Sequence, residues 1–333
     1  MKITYNKLLA TALFFGSSLI FASEVTISIA TPPKAPEAIK IETHGQEIDT
    51  GRHIGFSKRV PPNYTGPKYG KKYEAPKDAE AKVGEVSGGM ISAYLRGDLL
   101  TVEEVETKIK KAGFRVITSA KIDKKGDLIS VIFTNDALIN MSSKESRGFA
   151  SNLRVLINKK ENQISITNPL YLLKGFLQDD FDRASATKLL TAITSKFGKL
   201  KNSNDNLKFQ LLPKYQFMSG LPFYKDTQVV ATGDNLVEKL KNNKRVFFQQ
   251  KLNNGSVLVG VKLNKRTNKF LKKIGTNNAA MLPLPVLIEN GKAMILDPKF
   301  YISIMYPKLK MEEFMKIATI PDDMAKDAKR VFR

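Results

Sequence analysis

The sequence predicts an α+β protein built as two tandem copies of a small module, each an antiparallel sheet covered by helices. Three observations predict it. Short runs of alternating apolar and polar residues are joined by glycine turns, with Asn254-Gly255 and Asn290-Gly291 as hairpin signals. Helical periodicity with capping signatures separates those hairpins. The same order of strands and helices then occurs twice, which suits a chain of 333 residues, about two ordinary domains long. A hydrophobic sheet face has to be covered, so the two copies are expected to pack on each other as an internal pseudo-dimer.

Residues 1–22 have the features of an export signal. Lys2 and Lys7 supply a positive start, residues 8–21 are apolar or small, and Ala22 stands at a cleavage position before Ser23. That apolar stretch, about 14 residues, is shorter than the roughly 20 needed to span a bilayer, so cleavage and release into a bacterial periplasm are expected. An uncleaved anchor is the alternative. Residues 23–87 follow as a flexible arm, with prolines from Pro32 to Pro76 and too little apolar surface to offset the entropy of ordering. Its Tyr64, Tyr69 and Tyr73, set among lysines, are either docking residues or ordinary linker residues.

The first module is assigned to residues 88–200, a linker to 201–215 and the second module to 216–333. A strand at 91–98 stops at Gly97-Asp98, as one at 227–234 stops at Gly233-Asp234. A helix is expected after each. Thr101 and Glu104 have capping-box spacing in the first copy, with Val102, Val105 and Ile109 on one face. Leu236, Val237 and Leu240 repeat that face in the second, with Asp234 as the expected N-cap. Hairpins at 114–133 and 245–263 come next, then short helices at 137–141 and 268–274. A second hairpin closes each copy, at 153–166 and 284–295, and enters a helix at Asn168-Pro169 or Asp297-Pro298. Helical sequence ends both copies, at 184–197 and at 311–332 with an interruption at Pro321.

The run from Met281-Leu282-Pro283-Leu284-Pro285 through Asn290-Gly291 to Asp297-Pro298 resembles the C-terminal half of the DUF302 (TT1751-like) family. The resemblance covers about residues 225–331, and the first copy follows it more weakly. It implies a compact α+β module with a tendency to dimerise, in a family without an established activity. The family's Cys-Asn after Leu-Pro is Leu284-Pro285 here, and its Cys-Asn-Pro step is replaced by Thr276-Asn277-Asn278, so no cysteine role carries over.

Chemistry is bounded mainly by what is missing. The chain has no cysteine, which excludes disulfides, thiol nucleophiles and Cys-based zinc sites. Its only histidines, His44 and His53, fall in the arm, so a Ser-His-Asp arrangement inside either module is excluded. Ser185 and Lys188 have Ser-x-x-Lys spacing but lack companion motifs. Asp179, Asp180 and Asp182 fit helix capping better than acid–base work. No cofactor or metal motif is present, and no catalytic residue is assigned.

The net charge is +22, and residues 91–333 hold 42 Lys/Arg against 23 Asp/Glu. Either a Lys- and Asn-rich composition spreads over solvated faces, or a surface attracts anions. The second reading admits a small or anionic envelope ligand and a peripheral contact with an anionic membrane. Scattered lysines and export disfavour nucleic acid. Oligomeric state is not readable.

The candidate ligand-binding residues are Asp98 and Asp234, equivalent junctions in the two copies, together with Phe217, Tyr224 and Tyr301 from the chain's richest aromatic supply. Helix capping is the competing reading for the aspartates, and core packing for the rings. The function these features favour is a non-enzymatic ligand-binding or envelope-associated protein. A carboxylate-dependent hydrolase acting on an envelope polymer is the alternative.

Overall fold

The computed structural model describes residues 82–333, which lie in one compact unit. The expected export signal, His44, His53 and the expected arm through residue 81 lie outside the described residues. The last residues of the expected arm belong to the fold. Gly84 N–H donates to Asn202 Oδ1 at 2.7 Å, and its carbonyl accepts from Asn168 Nδ2 at 3.0 Å.

The first half runs β1 (Met90–Ser92), β2 (Tyr94–Asp98), α1 (Val102–Lys111), β3 (Arg115–Lys121), β4 (Leu128–Thr134) and α2 (Asp136–Ser142). A 3-10 turn at Gly148–Ala150 leads to β5 (Leu153–Asn158), β6 (Gln163–Thr167), α3 (Pro169–Leu177), α4 (Arg183–Phe197), β7 (Lys201–Asn202) and β8 (Asn206–Lys208). After a 3-10 segment at Phe209–Lys214, the second half begins with β9 (Thr227–Thr232), a 3-10 turn at Glu238–Leu240, β10 (Val246–Lys251) and β11 (Val257–Val261). A 3-10 turn at Thr267–Phe270 runs into α5 (Leu271–Ile274), and another at Thr276–Met281 precedes β12 (Leu284–Glu289) and β13 (Lys292–Leu296). Helices α6 (Pro298–Met305), α7 (Met311–Lys316) and α8 (Ile320–Arg330) complete the chain.

The fold is α+β with antiparallel sheets. One sheet has the order β3-β4-β5-β6-β2-β7, the other β10-β11-β12-β13-β9, so five strands are ordered alike in both. The leading strand of the first hairpin is irregular at matching places, between Val116 and Thr118 in β3 and between Val246 and Phe248 in β10. Local chemistry accounts for the turns. Asn290 and Gly291 both have positive φ, at 50° and 69°, which a two-residue hairpin loop requires. Asn168 and Asp297 cap α3 and α6, accepting from Leu170 N–H and Lys299 N–H, with proline in the first turn behind each.

The structure corrects three expectations. Asp234 caps no helix: only the 3-10 turn at Glu238–Leu240 follows it, and no side-chain cap bond is made there. The strand expected at 91–98 breaks at Ala93, so β1 pairs with β8 while β2 pairs with β6 and β7. Residues 201–215, expected as a linker, supply β7 and β8. Asp205 holds them by an ion pair with Arg96 at 2.9 Å.

The central strands β4, β5, β11 and β12 are buried at every position, which requires cover on both faces of each sheet. On one face lie the half's own helices, α1 against β3 and β4 in the first and α8 against β9 and β12 in the second. The opposite half covers the other face, and it does so reciprocally. The Gly148–Ala150 turn packs on β11 and β12, while the Thr276–Met281 turn packs on β4, β5 and β6. Gly148 admits this approach, because a Cβ there would stand 2.3 Å from Leu287 Cδ1.

Polar contacts join the halves as well. The final carbonyls of a helix have no intrahelical donors, and three phenols from outside α6 supply them. Tyr94 Oη donates to Met305 O at 2.7 Å, Tyr171 Oη to Ile304 O at 2.6 Å and Tyr215 Oη to Ser303 O at 3.3 Å. Each such bond contributes about 0.5–1.5 kcal/mol net, and a buried carbonyl left without one would cost about 1–3 kcal/mol.

Candidate functional site

The clearest cleft lies between the halves. It forms where the β3–β4 turn and Lys160 of the first half face residues 262–276 of the second, and it encloses about 570 Å³. Gly126, at φ 76°, closes the β3–β4 turn, and Leu128 N–H donates to Asp123 Oδ1 at 3.1 Å. Across the cleft, Asn268 Nδ2 donates to Ile122 O at 2.8 Å. At the cleft's other end, Asn158 Nδ2 donates to Thr276 Oγ1 at 3.0 Å and to Asn277 Oδ1 at 2.8 Å. These bonds fix the separation of the two walls.

The floor is apolar and the rim is cationic. Ile122, Leu128, Leu263 and Leu271 are buried beneath it. Seven exposed lysines surround them: Lys124, Lys125 and Lys160 from one half, Lys262, Lys265, Lys269 and Lys272 from the other. Among the described residues only one carboxylate, Asp123, shares the lining. Among the described residues Lys160 has an acidic partner, Asp127 at 3.7 Å, and the other six have none within 4.0 Å. Lys262 Nζ lies 5.9 Å from the centroid of the Phe247 ring. Like charges gathered at a low-dielectric wall raise the local concentration of anions. The volume falls within the range of small-molecule sites.

A second, polar cleft of about 250 Å³ lies where three turns of the second half meet, lined by Asp234, Asn254, Glu289 and Asn290 among others. Glu289 is buried there. Its carboxylate accepts from Ser146 N–H of the first half at 2.9 Å and from Asn254 Nδ2 at 3.4 Å.

The residues expected from sequence are thus dispersed. Asp234 is exposed at the second cleft, whereas Asp98 is exposed at the end of β2, opposite Gln163. Phe217 is half-buried, 5.3 Å from the Phe314 ring. Tyr224 is buried among Phe149, Phe176 and Phe300, and donates to Ser146 O at 2.7 Å. Tyr301 is buried and donates to Met281 O. Burial holds the hydroxyls of Tyr224 and Tyr301 above the usual phenol pKa. Both rings stand where the halves meet, without lining the lysine cleft. Asp182 caps α4 through Ala184 N–H and Ser185 N–H, and Asp180 pairs with Lys144 and Arg147.

Sequence reasoning missed the cleft lysines, although part of their signal was present. Lys265, Lys269 and Lys272 have the spacing of one helical face, and Lys124-Lys125 sits in a predicted turn. Nothing local placed those two segments opposite each other. No family model matches this chain, and no curated protein or solved structure matches it significantly.

Proposed function

We propose that this chain is an exported, non-enzymatic binding protein of the bacterial envelope, and that its ligand is an anionic amphiphile held in the cleft between its halves. The observation that carries the reading is the pairing of an apolar floor with seven rim lysines and a single lining carboxylate. An alkyl or acyl chain would cover the buried leucines, and a phosphate or carboxylate head would meet the ammonium groups. In this reading the halves are divergent copies of a DUF302-like module forming an internal pseudo-dimer. Matching strand order and reciprocal contacts support that view. Release into the periplasm through residues 1–22 is part of the same proposal. So is peripheral contact with an anionic membrane, from which such a ligand would be drawn. The hydrolase alternative rests on carboxylates near Asp98 and Asp234; Asp98 is exposed at the end of β2, and Asp234 lies at the polar cleft beside a Glu289 carboxylate that accepts from Ser146 and Asn254.

Calorimetric titration of the full chain with monomeric dodecyl phosphate tests the proposal, with dodecyl maltoside and inorganic phosphate as controls. Dodecyl phosphate should bind most tightly and weaken as salt rises. The triple change Lys265→Glu, Lys269→Glu, Lys272→Glu should cost at least about tenfold in affinity, one decade per 1.4 kcal/mol. Equal binding of dodecyl maltoside, or unchanged affinity in the triple variant, would defeat the reading.

A further inference from the structure

A separate, small cavity lies between the halves, lined by residues from both. Its volume is about 10 Å³, room for one water or one small monatomic ion. Phe149, Phe176 and Pro285 give it apolar walls, while Arg154, Thr167 and Asn152 give it polar ones. All three polar residues are more than nine-tenths buried, at 6%, 2% and 3% exposure.

Arg154 is the unusual member. A buried guanidinium normally faces a carboxylate, because an uncompensated charge is costly away from water. Among the described residues Arg154 has no carboxylate within 4.0 Å, and Asp205 is held by Arg96 instead. One terminal nitrogen donates to Met281 O and to Tyr301 Oη, the latter at 3.1 Å. The guanidinium carries five N–H groups, so further donors remain. Thr167 Oγ1 is buried at the same cavity and has no hydrogen-bond partner among the described residues. The Asn152 amide donates once, to Gln250 Oε1 at 3.4 Å.

We infer that this cavity binds one small inorganic anion, of the size and charge of chloride, between Arg154 and the Thr167 hydroxyl. A water there would accept hydrogen bonds but leave the guanidinium charge uncompensated. A halide accepts from the arginine, the hydroxyl and the amide together and neutralises the charge. Arg154, Thr167 and Asn152 come from the first half, and Tyr301, Met305 and Pro285 from the second. The anion therefore joins the two halves, and their association is linked to halide concentration. This inference is independent of the amphiphile cleft.

The test is unfolding of the full chain in sodium chloride, sodium bromide and sodium gluconate at matched ionic strength. Chloride and bromide should raise the midpoint saturably. At tenfold excess over the dissociation constant the rise should be about 3–6 °C for a domain of this size, with no such rise in gluconate. Arg154→Met should abolish the halide response and Thr167→Val should reduce it. Crystals grown in bromide should show an anomalous peak in the cavity. Equal midpoints in chloride and gluconate, or a bromide crystal without that peak, would overturn the inference. A full halide response in Arg154→Met would do the same, and if that variant does not fold, Thr167→Val and the bromide crystal still decide.

Discussion

The two halves arrange five strands in the same order, yet the segment after the first strand differs. In the first half it is the ten-residue helix α1, and in the second a three-residue 3-10 turn. Apolar residues mark one helical face in both, Val102, Val105 and Ile109 against Leu236, Val237 and Leu240, so the presence of such a face does not separate them. Capping does. Thr101 accepts from Glu104 N–H at 3.2 Å while the Glu104 carboxylate accepts from Thr101 N–H at 2.8 Å, and lysines occupy the last turn. The second half has no such pair, and Asn242, at φ 59°, turns the chain soon after Leu240. A short helix needs its ends satisfied, because nucleation is costly and few internal bonds repay it.

The largest expected effect probes what the halves share, their reciprocal packing. Leu287→Ala should cost about 2–5 kcal/mol and Gly148→Val about 1–3 kcal/mol in urea unfolding. The double variant should lose less than the sum, because a shortened Leu287 makes room at the place where the new Cβ would clash. Additive losses would mean that the two residues do not meet.

Next come the phenols that close α6. Tyr94→Phe and Tyr171→Phe should each cost about 1–3 kcal/mol, since a buried carbonyl loses its donor. Desolvation holds both hydroxyls above their usual pKa. The sign follows from proton binding. The native state keeps these protons after the unfolded chain has lost them, so their contribution is complete below the unfolded value of about 10 and falls as pH rises beyond it. Urea midpoints between pH 8 and 11.5 should therefore decline, and less steeply in Tyr171→Phe. A wild-type midpoint that stays flat to pH 11.5 would place these hydroxyls in water.

The smallest effect bears directly on the difference between the halves. Thr101→Ala should lower stability by about 1 kcal/mol, and Asp234→Ala should change it by less than about 0.5 kcal/mol. An equal loss in both would show that Asp234 supports local structure as Thr101 does.

Both hairpins of each half, the α1 capping box and the Asn-Pro and Asp-Pro helix starts were legible in the sequence. Each depends on residues within a few positions of one another. The aspartate junctions were legible as similar sequence steps but not as a shared site, because similar steps in the two halves need not converge in space. The aromatic residues were legible as a supply. Whether Tyr224 and Tyr301 line a pocket or fill a core depended on what the other half presents to them.

The sequence by itself determined the α+β class, the two hairpins of each half and the exclusion of thiol and histidine chemistry from residues 88–333, since composition, period and turn residues are local properties. Tertiary structure alone decided that lysines more than 100 residues apart rim one cleft, that Arg154 is buried with no carboxylate partner among the described residues, and that residues 201–215 complete sheets. Those outcomes depend on how two sheets with buried faces cover each other, a constraint that no short window of sequence contains.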